Sequence, residues 1–238
     1  MLAGFAIPYL PERPINASWL TERQRQLVTA DVAADAAAPG KHASLRDGFN
    51  AKVWLCAAIY FCIVSGNATI AFWSPSIIKE LGVQSTLMIG LVSAIPFVLG
   101  TIAMVWAGSN SDRTGERRMH CAIASVLASA GLGMTGFLLH SPVLALVALS
   151  VAAIGILAAF PVFWAIPAAF LTGTAAAGGI AVINSVGNLA GFASPYLMGW
   201  LRESTGNLAA GLYVVAAIKL MAAVLLITFV RMKTEKAR

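Results

Sequence analysis

Six stretches of mainly apolar residues, at about 52–78, 86–109, 119–139, 142–171, 174–201 and 208–230, recur along this chain with only short polar joints between them. Each reaches the roughly 20 residues that a helix needs to cross the hydrocarbon of a bilayer. Only closed hydrogen-bonded structures survive in lipid, so stretches of this length predict helices rather than strands or loops. Hydrophobic residues make up 59% of the chain and charged residues 11%, a balance that excludes an ordinary soluble domain. The expected fold class is an all-α membrane protein, a six-transmembrane-helix bundle.

The net charge of +6 invites a nucleic-acid reading, but the basic residues follow membrane topology instead. Arg13, Arg23, Arg25, Lys41, Arg46 and Lys52 precede the first span, Arg113, Arg117 and Arg118 follow the second, and Arg231, Lys233, Lys236 and Arg238 follow the last. If the spans alternate, all of these lie on one side. The other side keeps Lys79 and Arg202, each followed at once by an acid, Glu80 and Glu203. The positive-inside rule then places both termini and the joint after the second span in the cytoplasm, as in a bacterial inner membrane. The partners implied are a lipid bilayer and a small solute, with no nucleic acid.

Cys56, Cys62 and Cys121 have neither ligand spacing nor partners for a metal and read as small buried apolar residues; no cofactor is implied. The catalytic patterns H-E-x-x-H, G-x-S-x-G and the phosphate-cradling P-loop do not occur, and no span carries paired carboxylates. The chain therefore does not read as an enzyme. Residues 1–7 lack a basic leader and read as the end of a preceding helix. Residues 8–50 are polar and broken by prolines, with Thr21 and Gln24 at capping-box spacing, so a short helix is expected after Leu20. Trp19, Leu20, Leu27, Val28 and Val32 would lay an apolar stripe on the membrane surface or on the bundle's inner face, or else the segment is a loosely ordered linker.

The joint after the second span reads Gly108-Ser-Asn-Ser-Asp112-Arg113-Thr-Gly115-Glu116-Arg117-Arg118. Gly108 allows close helix packing, Asp112 sits where charge meets a helix-end dipole, and Gly115 allows a turn with positive φ. Arg113, Arg117 and Arg118 supply donors for Asp112, for carbonyls at helix ends or for anionic headgroups. This spacing resembles the cytoplasmic loop signature of the major facilitator superfamily, with Glu116 where a basic residue is common. Leu10-Pro-Glu-Arg-Pro14, Ala17-Ser-Trp19-Leu20-Thr21-Glu22-Arg23, Phe72-Trp73-Ser-Pro75, Phe160-Pro-Val-Phe-Trp164-Ala-Ile-Pro167 and Ile183-Asn-Ser-Val-Gly-Asn188 are similar to the anion:cation symporter family, in particular its tartrate and phthalate transporter branch.

The resemblance implies the C-terminal six-helix half of a twelve-helix fold, in which substrate binds at the midplane between two bundles. It divides the chain into the end of a preceding helix plus a central cytoplasmic loop (1–51), a C-terminal bundle (52–231) and a cytoplasmic tail (232–238), and implies a missing N-terminal six-helix half as partner. The function implied is secondary active transport of a small organic anion, a tartrate-like carboxylate or sugar acid, by proton symport. The spans contain no Asp or Glu to carry the proton, so coupling carboxylates would come from the other half. The alternative is an inert or assembly-only bundle from a truncated transporter.

Polar groups in hydrocarbon need partners or water, which singles out a few residues. Tyr60 and Asn67 lie seven apart with Ser74 beyond, near one helix face, where they would bond a carboxylate or hydroxyl or else a neighbouring helix. Pro161 and Pro167 should kink or loosen the fourth span around Trp164, whose indole offers a flat wall and a donor at a cavity, or else anchors and packs. Asn184 and Asn188 share a face of the fifth span, and Gly187 and Gly191 form a small-x-x-x-small pair beside them. The resemblance places a substrate-contacting polar residue at Asn184 and Trp164 at the cavity. Lys219, central in the last span, is expected to snorkel or find a local partner, because the resemblance puts that helix at the periphery. His120 and His140 read as boundary residues.

Overall fold

The computed structural model describes residues 17, 19–37, 50–171 and 173–230. Expectations for residues 1–7, for the Leu10–Pro14 segment and for the 232–238 tail lie outside them. The described helices are α1 (Glu22–Ala37), α2 (Ala51–Glu80), α3 (Thr86–Thr114), α4 (Arg117–Phe137), α5 (Pro142–Ala168), α6 (Gly173–Asn188), α7 (Ala190–Thr205) and α8 (Leu208–Phe229). Among the described residues no strand occurs, and six helical segments are long and apolar enough to cross a membrane, with α6 and α7 together making one of them.

Helix α1 starts where the capping box places it. The Thr21 backbone N–H donates to Gln24 Oε1 at 3.1 Å, and the Gln24 N–H donates to Thr21 Oγ1 at 3.4 Å, satisfying two donors that a helix start leaves open. Trp19 and Leu27 stand exposed. Asn50 begins α2 in the same manner, accepting from the Val53 N–H at 3.0 Å.

Helix α2 is the axis of the bundle, with α5, α6, α7 and α8 packed around it. The closest crossing is α4 on α5. A Cβ on Gly131 would lie 2.6 Å from Ala152 Cα, and one on Gly155 would lie 2.5 Å from the Ala124 carbonyl oxygen, so the two backbones touch. Lipid tails are as apolar as leucine, and close backbone approach through small residues is what holds such helices together. Gly100 does the same for α3, whose main neighbour is α5: a Cβ there would meet the Ala153 carbonyl at 2.8 Å. The rest of α3 shows an exposed apolar surface, including Leu91, Val98, Ile102, Val105 and Trp106.

The fifth span runs as one apolar helical segment that tightens at Leu189, where α6 passes into α7: the Leu189 N–H reaches the Val186 carbonyl at 3.2 Å, and its carbonyl takes the N–H groups of Phe192 at 3.2 Å and Ala193 at 2.9 Å. The fourth span is a helix over Pro142–Ala168, with Pro161 and Pro167 inside it. Burial of Val162, Phe163 and Ile166 against neighbouring helices holds the chain helical there, and tertiary packing overrides the local loss of a donor.

Candidate functional site

Two polar ends and one mid-depth cluster organise the bundle. At the loop-motif end, Gly115 closes α3 at φ 70 with its N–H on the Ser111 carbonyl at 2.9 Å, a left-handed cap that glycine takes without a side-chain clash. Only Gly115 and Glu116 separate α3 from α4, so Asp112 and Arg113 ride on the last turn of α3, both exposed and neither in an ion pair among the described residues. Gly108 faces Pro161, with a Cβ there 3.5 Å from the proline ring, an ordinary contact.

The two following arginines settle which of the earlier alternatives applies to them. Arg117 Nη1 donates to the Ala165 carbonyl at 2.8 Å, near the end of α5, and Arg118 Nη1 donates to the Val230 carbonyl at 3.0 Å, just beyond α8. Helix C-termini leave carbonyls unpaired and carry partial negative charge, so one short loop ties three helix ends together. His120 belongs to the same tie: its Nδ1 donates to the Glu116 carbonyl, and Asn110 Nδ2 donates to its Nε2 at 2.8 Å. It is thus a structural link across the turn and not merely a residue at a boundary.

At the opposite end, Arg202 Nη2 donates to Glu80 Oε1 at 2.8 Å, joining α7 to α2, and the guanidinium lies 5.8 Å from the Trp73 ring. The partner is the acid across the bundle rather than the adjacent Glu203. Between the ends, Thr69 Oγ1 lies 2.7 Å from Ser194 Oγ, and the Ser194 hydroxyl donates to the Ser65 carbonyl at 2.9 Å, all of it buried. This cluster was not singled out in the sequence, where Thr69 and Ser194 stand 125 residues apart without a shared pattern. The signal available was only that small hydroxyl residues on apolar helices favour helix contacts.

The sequence-derived site residues fall into two groups. Tyr60 is 6% exposed and packs on Phe163 (5.1 Å, stacked) and Trp164 (4.8 Å, edge-on), with the α6 backbone pressed on its ring at Gly187, where a Cβ would come within 2.9 Å of Tyr60 Cγ. Trp164 is half-buried in the same cluster. Asn184 and Asn188 form the second group, exposed on α6, with Asn188 Nδ2 donating to Asn184 Oδ1 and to the Asn184 carbonyl, each at 2.8 Å. Asn67 is half-buried on α2, two turns beyond Tyr60. Gly187 packs as expected, whereas Gly191 has open space at its Cβ position, so the small-residue pair works at one member only.

By rise along each helix, Asn67, Asn184 and Asn188 lie about 16–24 Å from the loop-motif ends of their helices, near mid-depth. Trp164 is about one turn from that end of α5, adjacent to the carbonyl that Arg117 holds. The arrangement therefore offers amide donors and acceptors at mid-depth, on a face not used for packing, above an aromatic floor clamped by the loop.

Lys219 departs from expectation. It is completely buried, its stem lies against Gly66 with a Cβ there 2.9 Å from Lys219 Cδ, and its Nζ makes no hydrogen bond among the described residues. Snorkelling fails because the residue sits about three turns from either end of α8 and faces α2, not lipid. An amine without an acceptor lowers stability, so Lys219→Met is expected to stabilise the bundle by about 1–2 kcal/mol, which raises the thermal midpoint in detergent by roughly 2–8 °C at this chain length. A lower midpoint would show that the amine has a partner.

A family model described as Major Facilitator Superfamily matches residues 1–195 and 56–238. The chain is 40% identical over 230 residues to a protein of Agrobacterium vitis named "Putative tartrate transporter", covering 95% of this chain and 52% of that one. It is 35% identical over 234 residues to a quinolone resistance transporter of Acinetobacter baumannii, covering 97% and 54%, and 34% identical over 226 residues to the inner membrane transport protein RhmT of Escherichia coli, covering 94% and 52%. The chain spans about half the length of the curated relatives it matches.

Proposed function

The chain belongs to the major facilitator superfamily and is an integral membrane protein of that transport family, and we propose that it works as one six-helix half of a secondary transporter for a small organic anion. The anion is a tartrate-like carboxylate or sugar acid, moved by proton symport. The observation that carries this reading is the exposed Asn184–Asn188 pair at mid-depth, beside the Tyr60–Trp164 cluster. Amides in hydrocarbon are costly unless satisfied, and a face holding two of them suits a water-filled passage better than acyl chains. A polyhydroxy acid presents both donors and acceptors, which matches what two amides offer. The name of the Agrobacterium vitis relative supports the choice of substrate class.

In this reading residues 52–231 form the bundle, 1–51 supply the end of a preceding helix and a central loop, and 232–238 a tail. Both termini face the cytoplasm across a bacterial inner membrane, as the distribution of basic residues favours. The loop residues Gly108, Asp112, Arg113, Gly115, Arg117 and Arg118 serve as a conformational latch. Substrate contacts come from Tyr60, Asn67, Trp164, Asn184 and Asn188, and the proton-coupling carboxylate comes from a complementary bundle, since no span here carries one. The test is reconstitution of the chain in vesicles with and without a matching first half, with labelled tartrate and related acids offered under a pH gradient. Uptake by the paired sample alone is the expected result. An inert pair, or chemical conversion of the acid by this chain, would overturn the reading.

A further inference from the structure

Helix α5 ends on a turn that its own backbone does not complete. Pro167 has no N–H to give the Phe163 carbonyl four residues back, and the Ala169 N–H, which would close the next turn on Ala165, bonds the Ile166 carbonyl at 3.2 Å. The Ala165 carbonyl is met from outside the helix, by Arg117 Nη1 at 2.8 Å, 48 positions away in the chain. A guanidinium at a helix C-terminus is favoured by the helix dipole as well as by the bond itself. The last turn of α5 is therefore held by the first residue of α4.

That turn follows directly on Trp164. The indole meets Tyr60 edge-on with ring centroids 4.8 Å apart, and Tyr60 in turn lies under the α6 backbone at Gly187, which stands between Asn184 and Asn188. Each step from Arg117 to the amide pair is thus a bond or a packed contact. There is little slack along it, because Phe163 is completely buried and stacks on Tyr60 at 5.1 Å. Arg118 makes the same kind of bond, to the Val230 carbonyl at 3.0 Å, but at the end of α8, which carries none of the residues proposed to touch substrate.

From this we infer that Arg117 is a positioning residue for the transported anion: through the Ala165 carbonyl it sets where Trp164 and Tyr60 lie beside the amide pair, and so how tightly that pair holds a carboxylate. The inference rests on the transport reading above and deepens it. A latch changes how often the bundle opens, whereas this arginine changes the shape of the site.

Two measurements test it, each with Arg118→Met beside Arg117→Met. In the chain labelled with 5-fluorotryptophan, the fluorine resonance of Trp164, assigned through Trp164→Phe, should move in Arg117→Met and stay in place in Arg118→Met. In vesicles holding the chain paired with a matching first half, tartrate binding should weaken about tenfold in Arg117→Met. In a Trp164→Ala background the same substitution should cost less than about twofold more, because the contact through which the arginine acts is already gone. Arg117→Lys keeps a donor for the carbonyl and should bind within about threefold of the unsubstituted pair. Arg117→Gln, too short to reach the carbonyl, carries the same tests should the methionine variant not assemble. A Trp164 resonance that does not move, a loss of equal size in both backgrounds, or an equal loss from Arg118→Met would overturn the inference and leave anion transport standing. Failure of the unsubstituted pair to bind tartrate would instead remove the transport reading itself, and with it this one.

Discussion

Gly155→Leu is expected to prevent the bundle from assembling. The ideal Cβ position at Gly155 already lies 2.5 Å from the Ala124 carbonyl oxygen and 2.9 Å from Ala128 Cα, so any side chain must push α5 off α4. A flexible neighbour could rotate away; backbone cannot. Overpacking against side chains costs about 1–3 kcal/mol, and a backbone collision at the tightest crossing should exceed that, reaching about 4 kcal/mol or more. Because the α4–α5 contact also supports α3 and α8 on either side, separation there exposes two further packing faces. The measurement is the monodisperse fraction and thermal midpoint in detergent, with Gly133→Ala as control. Gly133 has nothing within 4 Å of its Cβ position, and alanine there should leave the midpoint unchanged or higher. If both variants behave alike, the close crossing is not what holds these helices.

Asn184→Ala is expected to cut organic-anion uptake by the paired protein about 10- to 100-fold while leaving its thermal midpoint within the error of measurement. Hydrogen bonds to charged groups contribute about 1.5–3 kcal/mol, which corresponds to that range. The side chain is exposed, and among the described residues its hydrogen bond is to Asn188, so truncation removes no core contact. Asn188→Ala should give a smaller loss, since its amide is committed partly to the Asn184 carbonyl. A ligand-induced rise in midpoint should disappear along with uptake. If uptake survives Asn184→Ala, the amide pair is a packing feature and the substrate lies elsewhere in the bundle.

Reading along the chain placed all six spans to within a few residues at most of their ends, together with the capping box at Thr21, the glycine turn at Gly115 and the capacity of Arg117 and Arg118 to meet helix-end carbonyls. These follow from local causes: transfer of side chains into hydrocarbon, the donor count at a helix start, and the freedom of glycine at φ 70. The amide face of α6 was equally legible, because Asn184 and Asn188 stand one turn apart and Gly187 marks the packing side. The proline pair at 161 and 167 was visible too, but a local rule about lost donors says nothing about how firmly Phe163 and Ile166 are held by their neighbours.

Span number, length and the positions of the turns were written in the order of residues alone, because a helix in lipid must satisfy its own backbone and its cost of insertion depends only on what it carries. Which faces meet was a matter of three dimensions. In water an apolar face points inward, but in a bilayer both the interior and the surroundings are apolar, and periodicity loses its direction. Only the packed helices could show Lys219 closed in against Gly66, Arg202 reaching across to Glu80, and Ser194 joined to Thr69. Each of these is a contact between residues more than 100 positions apart, decided by small residues that let backbones approach and not by any pattern along the chain.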